Sequence, residues 1–176
     1  MVLKAKKDLL KSMKRYPEVV QVSNEILALS HKDKETLIDK GSASLFMKKP
    51  NEALLCFNKV LEIEGDDLDT LELKKLALKE MDDQEAVVSV CDKILKLSPK
   101  NKPALADRAG AHEKLGRLGE ALKGYEAALA LDNKDIFLWN RKGLLLLGGG
   151  NPAQAAEAFE YAIKLDSNQP FVLNNR

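Results

Sequence analysis

The segment Glu120–Asp132, which reads EALKGYEAALALD, decides the fold because near-copies of it recur along the chain. One copy, QAAEAFEYAIKLD, begins at residue 154, which is 34 residues later. Further copies begin at residues 86, 52 and 18, so five copies share one register with no insertion or deletion. A fixed period of this length is typical of repeat proteins, in which each unit packs on its neighbours.

Columns of mostly apolar residues predict two helices in each repeat. Four columns lie 4, 3 and 3 positions apart, which places them on one face of a second helix. They hold Val19, Ala53, Val87, Ala121 and Ala155; Ser23, Phe57, Cys91, Tyr125 and Phe159; Ile26, Val60, Ile94, Ala128 and Ala162; and Leu29, Ile63, Leu97, Leu131 and Leu165. A first-helix column holds Leu3, Leu37, Leu71, Leu105, Trp139 and Leu173. Pro50, Gly116 and the stretch 148–152 fall between the two helices, where stop and start residues are expected.

The period predicts one all-α solenoid domain over residues 1–176, because a single helix pair buries too little surface to fold alone. Its units are a degenerate first one over 1–33, then 34–67, 68–101, 102–135 and 136–169, and the start of a sixth over 170–176. Since the sequence stops within that sixth unit, we expect a fragment of a longer protein. We also expect self-association through the uncapped C-terminal unit.

Composition and charge exclude several classes of protein. The chain has 28 Lys and Arg against 27 Asp and Glu, and 45% of its residues are hydrophobic, which is typical of a folded chain. The longest apolar run, Leu144–Leu147, is far shorter than the roughly 20 residues that cross a bilayer. The first 20 residues hold no apolar stretch long enough for the core of a signal peptide, and the two cysteines lack metal-binding spacing. We expect a cytoplasmic protein with no metal, no cofactor and no membrane association.

Catalytic motifs are missing from the sequence. No nucleophile elbow or phosphate loop is present, and Gly148–Gly150 lies between two helices without the Lys-Ser/Thr that a phosphate loop requires. His112 falls in a first-helix column that otherwise holds mostly leucine, so a packed histidine is expected there. We therefore expect that the protein is not an enzyme.

The repeats resemble the tetratricopeptide repeat family over essentially the whole chain. In the best-matching copy the signature positions hold Trp139, Gly143, Gly150, Ala155, Phe159 and Ala162. The first copy departs from the pattern, with Lys7 and Ser23 in signature columns. The resemblance implies a right-handed superhelix of antiparallel helix pairs. It also implies a scaffold that binds a protein or peptide segment in a concave groove lined by the first helices.

The usual geometry of this family predicts which residues face the groove. They are Ile38, Ser42, Leu45 and Phe46 in the second unit, Glu72, Leu76, Lys79 and Glu80 in the third, Ala106, Gly110, Glu113 and Lys114 in the fourth, and Phe137, Asn140, Leu144 and Leu147 in the fifth. Apolar anchors on a peptide or helix would suit such a surface. An alternative is that Leu45, Phe46, Leu144 and Leu147 pack between adjacent helices.

A basic residue recurs in one column of every unit: Lys6, Lys40, Lys74, Arg108, Lys142 and Arg176. One interpretation is a positive ladder on the inner surface that binds nucleic acid or another acidic ligand, with steep salt dependence. The balanced net charge favours a second interpretation. In it, the aliphatic stems of these basic side chains pack on neighbouring helices and their charged ends pair with acidic residues. A further alternative is a passive structural spacer within a longer protein. An unidentified protein or peptide is the expected partner, and nucleic acid is not.

Overall fold

The computed structural model describes residues 1–167, which form ten α-helices and no strand. The helices are α1 (Val2–Ser12), α2 (Tyr16–Leu29), α3 (Lys34–Phe46), α4 (Pro50–Glu64), α5 (Leu68–Glu80), α6 (Gln84–Leu97), α7 (Lys102–Lys114), α8 (Leu118–Leu131), α9 (Ile136–Gly148) and α10 (Pro152–Ser167). The predicted start of a sixth unit at 170–176, with Leu173 and Arg176, lies outside the described residues.

The helices fall into two compact units, Met1–Leu97 and Ser98–Arg176. In the first unit, each of the helices α1 to α5 packs on the next one, and α3 also contacts α5. In the second unit, α7 packs on α8, α8 on α9, and α9 on α10. Each predicted repeat thus contributes two consecutive helices, and the predicted all-helical repeat fold is confirmed.

The first helices of successive repeats begin in the same way. The side chains of Asp33, Asp67, Asn101 and Asp135, spaced 34 residues apart, each accept a hydrogen bond from the backbone N–H three residues later, at 2.8–3.1 Å. Such a cap satisfies one of the free N–H groups in the first turn and stabilises a helix by about 1 kcal/mol. The caps therefore fix where α3, α5, α7 and α9 start.

The core follows the predicted second-helix columns closely. The columns that begin with Val19 and Ile26 are buried in all five repeats. The column that begins with Ser23 is buried as well, except at Phe159, which is half-buried. At roughly 25 cal/mol for each Å² of apolar surface removed from water, these columns supply much of the driving force for packing the helix pairs.

The last second-helix column departs from the expected burial. Leu29 is 82% exposed, and Ile63, Leu97 and Leu131 are exposed as well. Helices α2, α6 and α8 end at this column, so helical spacing aligns the residues with the core face while neighbouring helices leave the last turn uncovered. Sequence periodicity reports the direction of a side chain, but it does not report how far the neighbouring helix extends.

In the first repeat, a buried ion pair takes the place of the glycine–aromatic contact of the next repeat. Lys7 occupies the column that holds Gly41 in the next repeat, and Ser23 occupies the matching aromatic column. Lys7 is fully buried, and its Nζ lies 2.5 Å from a carboxylate oxygen of buried Asp39. Burial opposes the charge on Lys7, but the hydrogen bond and charge of Asp39 outweigh it and raise the pKa of the lysine. The ion pair therefore ties α1 to α3.

Candidate functional site

A groove of about 600 Å³ lies between α3 and α5 in the first compact unit, and we refer to it as the α3–α5 groove. It is lined by Ser42, Leu45, Phe46, Lys48, Leu73, Leu76, Lys79 and Glu80. Repeat periodicity brings together side chains that lie one period apart, because each first helix stacks on the first helix of the next repeat. The groove contains six residues of the predicted set, Glu80 among them, together with Lys48 and Leu73, which sequence reasoning missed.

The apolar side chains of the α3–α5 groove have two different roles. Leu45 and Leu73 are half-buried and pack against the core cluster beneath them. Phe46 and Leu76 are 67% and 49% exposed, respectively. Large apolar side chains with this exposure, gathered in one concave site, are typical of surfaces that bind another apolar group.

An aromatic contact holds Phe46 from outside the groove. The ring of Tyr16, in the first turn of α2, stacks on the ring of Phe46 with centroids 4.6 Å apart and planes 6° apart. Stacked aromatic pairs contribute about 0.5–1.5 kcal/mol beyond the area they bury. Tyr16 therefore limits the positions available to an otherwise exposed ring. Sequence reasoning did not find this contact, because Tyr16 lies outside the repeated columns.

The charged rim of the α3–α5 groove is partly neutralised by an ion pair. Nζ of Lys48 lies 3.0 Å from Oε2 of Glu80, so the turn after α3 is joined to the end of α5. Both side chains are exposed, and an exposed pair of this kind contributes at most about 1 kcal/mol. Because the two charges neutralise each other, apolar contact is the principal attraction between the groove and a ligand.

The other predicted groove residues of the first unit lie outside this cavity. Ile38 and Glu72 are half-buried and do not line the α3–α5 groove. An oxygen of Glu72 lies 2.6 Å from Nζ of Lys75, which is almost completely buried. Glu72 therefore neutralises a buried lysine of its own helix.

In the second compact unit, Glu113 is engaged by its neighbours. Its carboxylate accepts a hydrogen bond from Oη of Tyr125 at 2.9 Å and another from Nε of Arg141 at 3.1 Å. Burial and the hydrogen bond to Glu113 raise the pKa of Tyr125 to about 12. Ala106, also predicted for the groove, is half-buried. The hydrogen bonds that Glu113 accepts from Tyr125 and Arg141 therefore join α7, α8 and α9.

Helix α9 presents a row of exposed residues that the sequence analysis placed in the groove. Phe137, Asn140, Leu144 and Leu147 are all exposed, and three of the four are apolar. They follow one another at helical spacing along a single face. This row belongs to the second compact unit, and the α3–α5 groove belongs to the first.

The described members of the basic column do not line the α3–α5 groove. Lys40 lines a separate cavity formed with α2 and α4, and Nζ of Lys142 lies 2.8 Å from Oε1 of Glu126. Lys74 is half-buried, and burial and the nearby charge of Lys93 lower its pKa. Arg176 lies outside the described residues.

Three carboxylates gather around the buried lysine of the first repeat. Oxygens of Asp8, Glu35 and Asp39 lie within 4.8 Å of one another. Nζ of Lys7 lies 3.6 Å from Asp8 and 3.7 Å from Glu35, in addition to its contact with Asp39. Because this lysine already supplies a positive charge to the cluster, we interpret the cluster as an ion-pair network and assign it no metal.

The two thiols of the chain are buried and do not form a disulfide. Cys56 and Cys91 both have almost no exposed surface. Burial raises the pKa of Cys56, because the charged thiolate is disfavoured away from water. A buried thiol that stays protonated is a poor nucleophile, so Cys56 does not qualify as a catalytic group.

Comparison with known proteins identifies the repeat. The family model for the tetratricopeptide repeat matches residues 35–67 and 138–169, which fall on the helix pairs α3–α4 and α9–α10. These two stretches are tetratricopeptide repeats. Among residues 1–167, no helix combines the length and the hydropathy that a bilayer span requires.

A curated relative contains the same repeat. The small glutamine-rich tetratricopeptide repeat-containing protein 2 of Saccharomyces cerevisiae is 27% identical over 86 residues, which are 49% of this chain. The match covers 25% of the yeast protein, so the similarity concerns a quarter of that relative's length.

Solved structures share the tetratricopeptide-repeat fold. MamA of Desulfovibrio magneticus RS-1, from residue 41 onward, has a TM-score of 0.85 at 18% identity, covering 96% of each chain. YrrB, described as a TPR protein with an unusual peptide-binding site, has a TM-score of 0.81 at 17% identity. That match covers 93% of this chain and 84% of YrrB. At such low identities, the likeness establishes the fold and nothing about ligands.

Proposed function

We propose that this tetratricopeptide-repeat protein is a non-catalytic interaction scaffold that binds a peptide segment of another protein in the α3–α5 groove. The observation that carries the proposal is the exposure of Phe46 and Leu76 on the walls of one concave site. A partner side chain that covers them removes apolar surface from water at roughly 25 cal/mol for each Å². The peptide-binding site named for the fold neighbour YrrB supports the same type of function.

The composition of the groove defines the kind of peptide. Its walls are largely aliphatic and aromatic, and Lys48 and Glu80 at the rim already pair with each other. We expect a ligand with an apolar anchor, such as leucine or phenylalanine, flanked by polar or uncharged residues. The exposed row Phe137, Asn140, Leu144 and Leu147 is proposed as a second contact surface, on the other compact unit.

The proposal also includes a cytoplasmic location and the absence of catalytic activity. Two buried cysteines that form no disulfide are usual in a reducing compartment, so we place the protein in the cytoplasm. No catalytic step is assigned to any residue, and binding alone is the proposed activity.

A peptide-display selection tests the proposal. Random peptides of both helical and extended design are selected on the parent protein, and the enriched peptides are then measured against two variants. Phe46→Asp places a charge in the groove, whereas Leu29→Asp makes the same change at an exposed leucine outside it. Circular dichroism verifies that both variants remain folded.

The proposal predicts enriched peptides with apolar anchors that bind the Leu29→Asp variant like the parent. The Phe46→Asp variant is expected to bind them about tenfold or more weakly, the scale of losing a central aromatic contact. Selection of no peptide above background, or equal binding by both variants, would refute the groove as the binding site and favour a passive spacer.

A further inference from the structure

A second cavity, of about 250 Å³, lies among α8, α9 and α10, and we refer to it as the α8–α10 cavity. It opens on the side of α9 opposite to the exposed row, because Trp139, Lys142 and Leu146 line it whereas Phe137 and Leu144 do not. The proposed peptide groove therefore does not include it.

The α8–α10 cavity is a feature of the repeat itself. A cavity of about 240 Å³ lies among α2, α3 and α4 in the first compact unit. Lys40 there corresponds to Lys142, and Leu37 corresponds to Trp139, each 102 residues earlier in the sequence, which is three periods. The helix packing thus creates the cavity, and the residues of each repeat determine its chemistry.

A rigid aromatic wall bounds the α8–α10 cavity. The rings of Trp139 and Tyr161 stack with centroids 4.8 Å apart and planes 16° apart. Nε1 of Trp139 donates a hydrogen bond to the carbonyl oxygen of Asn133 at 2.8 Å, which fixes the indole. Tyr161 remains 54% exposed, and Nζ of Lys164, a side chain that is itself exposed, lies over its ring at 5.7 Å from the centroid. The floor beneath is apolar, with Leu122 half-buried and Ala158 buried.

The charges around the α8–α10 cavity leave one carboxylate unmatched. Lys142 lies over the Trp139 ring, 5.5 Å from its centroid, and pairs with Glu126. Glu157 lines the cavity and is exposed, and within residues 1–167 it makes no hydrogen bond or ion pair. The three charged residues that line the cavity therefore sum to one negative charge, next to an aromatic ring.

We propose that the α8–α10 cavity binds an arginine side chain of a protein partner. A guanidinium group is planar, so it can replace the exposed Lys164 ammonium over the ring of Tyr161 while donating two parallel hydrogen bonds to Glu157. The aliphatic stem of the arginine would lie on the apolar floor at Leu122. Cations already lie over both rings of the aromatic wall, Lys142 over Trp139 and Lys164 over Tyr161, and this is the chemistry that the proposal extends.

The equivalent cavity of the first unit provides an internal contrast. Leu55 stands there in place of Glu157, and Lys59 in place of Tyr161. Its lining carries Lys40 and Lys59 against Glu52, which is one positive charge. An arginine is therefore expected to bind the α8–α10 cavity and to avoid the cavity of similar volume in the first unit.

A titration followed by two-dimensional amide NMR tests this proposal. The probe is a short blocked alanine peptide with one central arginine, and the control is the same peptide with citrulline, a neutral isostere. Trp139 is the single tryptophan of the chain, so its indole N–H signal reports directly on the cavity. The variants are Glu157→Gln and, as a matched control outside the cavity, Glu120→Gln, both verified by circular dichroism.

The arginine peptide is expected to shift the Trp139 indole signal and the amides of α9 and α10 in a saturable manner, whereas the citrulline peptide leaves them unchanged. Glu157→Gln is expected to weaken binding about two- to fivefold, the scale of one partly exposed ion pair, with Glu120→Gln like the parent. The proposal is overturned by an absence of saturable shifts, by equal shifts with citrulline, or by unchanged affinity in the Glu157→Gln variant.

Discussion

The ring of Phe57 lies directly against the backbone of Gly41, so closely that a Cβ atom on Gly41 would be 2.5 Å from Cε1 of the ring. Three repeats later, Gly143 and Phe159 have the same relationship, also at 2.5 Å. Where the aromatic column instead holds Ser23, the partner column holds Lys7. The two helices of a repeat therefore keep their separation by matching a large residue on one with a small residue on the other.

Replacement of Gly41 by alanine is expected to destabilise the first compact unit. The added methyl group cannot fit against a fully buried ring, so helices α3 and α4 must shift, at a cost of about 1–3 kcal/mol. Urea unfolding followed by circular dichroism measures the change. Gly119→Ala is the matched control, because its Cβ would meet no atom within 4 Å, and it is expected to be neutral or stabilising. Equal effects of the two substitutions would contradict the packing described.

Loss of the Lys7 charge is expected to destabilise the protein. Lys7→Met keeps the length of the side chain but leaves one oxygen of buried Asp39 without its cation, while the exposed Lys11 still pairs with the other oxygen, so the cost is about 1–3 kcal/mol. The free energy of unfolding in urea measures this effect. The double variant Lys7→Met/Asp39→Leu removes both charges and is expected to recover most of the loss. A double variant no more stable than the single one would show that the ion pair is not the cause.

Asp33 is expected to make stability depend on acid pH. Its side chain caps α3 and pairs with Lys4 at 2.6 Å. The hydrogen bond from Lys4 is the main cause that lowers the pKa of Asp33 from 3.8 to about 2. Because the folded-state pKa is depressed, this stabilisation is present above pH 3.8 and is lost as the pH falls through about 2.

Asp33→Asn keeps an acceptor for the helix cap but removes the charge. We expect the variant to be less stable than the parent by about 0.5 kcal/mol near neutral pH, the scale of a partly exposed ion pair. Urea titrations at neutral pH and near pH 2 measure the difference, which should disappear in acid. A difference that is independent of pH would show that the carboxylate charge contributes nothing.

Removal of Tyr16 is expected to weaken peptide binding without unfolding the protein. Tyr16→Ala removes the stacked ring that holds Phe46, so binding of a selected peptide should weaken about two- to tenfold, the scale of one aromatic pair. Fluorescence anisotropy of a labelled peptide measures the affinity. Tyr16→Phe retains the stacked ring and is expected to bind like the parent. Equal weakening in both variants would show that ring stacking is not the cause.

Much of the fold could be predicted from the sequence because the repeat supplies five independent observations of each position. The columns beginning at Val19 and Ile26 stood out as apolar in nearly every repeat, and both are buried. The caps at Asp33 and Asp67 recur at the same spacing, so the same comparison of columns could have found them. Features that recur in every repeat can therefore be predicted from the sequence of one repeat protein.

Features that break the period could not be predicted. Tyr16 meets Phe46 because a side chain from one repeat crosses to another, and no column relates the two residues. Glu113 pairs with Arg141 and Tyr125 through side-chain geometry that spacing alone does not specify. The exposure of Leu29 depends on where neighbouring helices end, which apolar spacing does not report.

The most direct test of the proposed binding function is photo-crosslinking of a selected peptide that carries a benzophenone at its apolar anchor. Mass spectrometry then identifies the residues of the protein that are labelled. Peptide binding in the α3–α5 groove predicts labels on α3 and α5 around Phe46 and Leu76, with loss of labelling in the Phe46→Asp variant. Labels confined to other helices, or labelling unchanged in that variant, would contradict it.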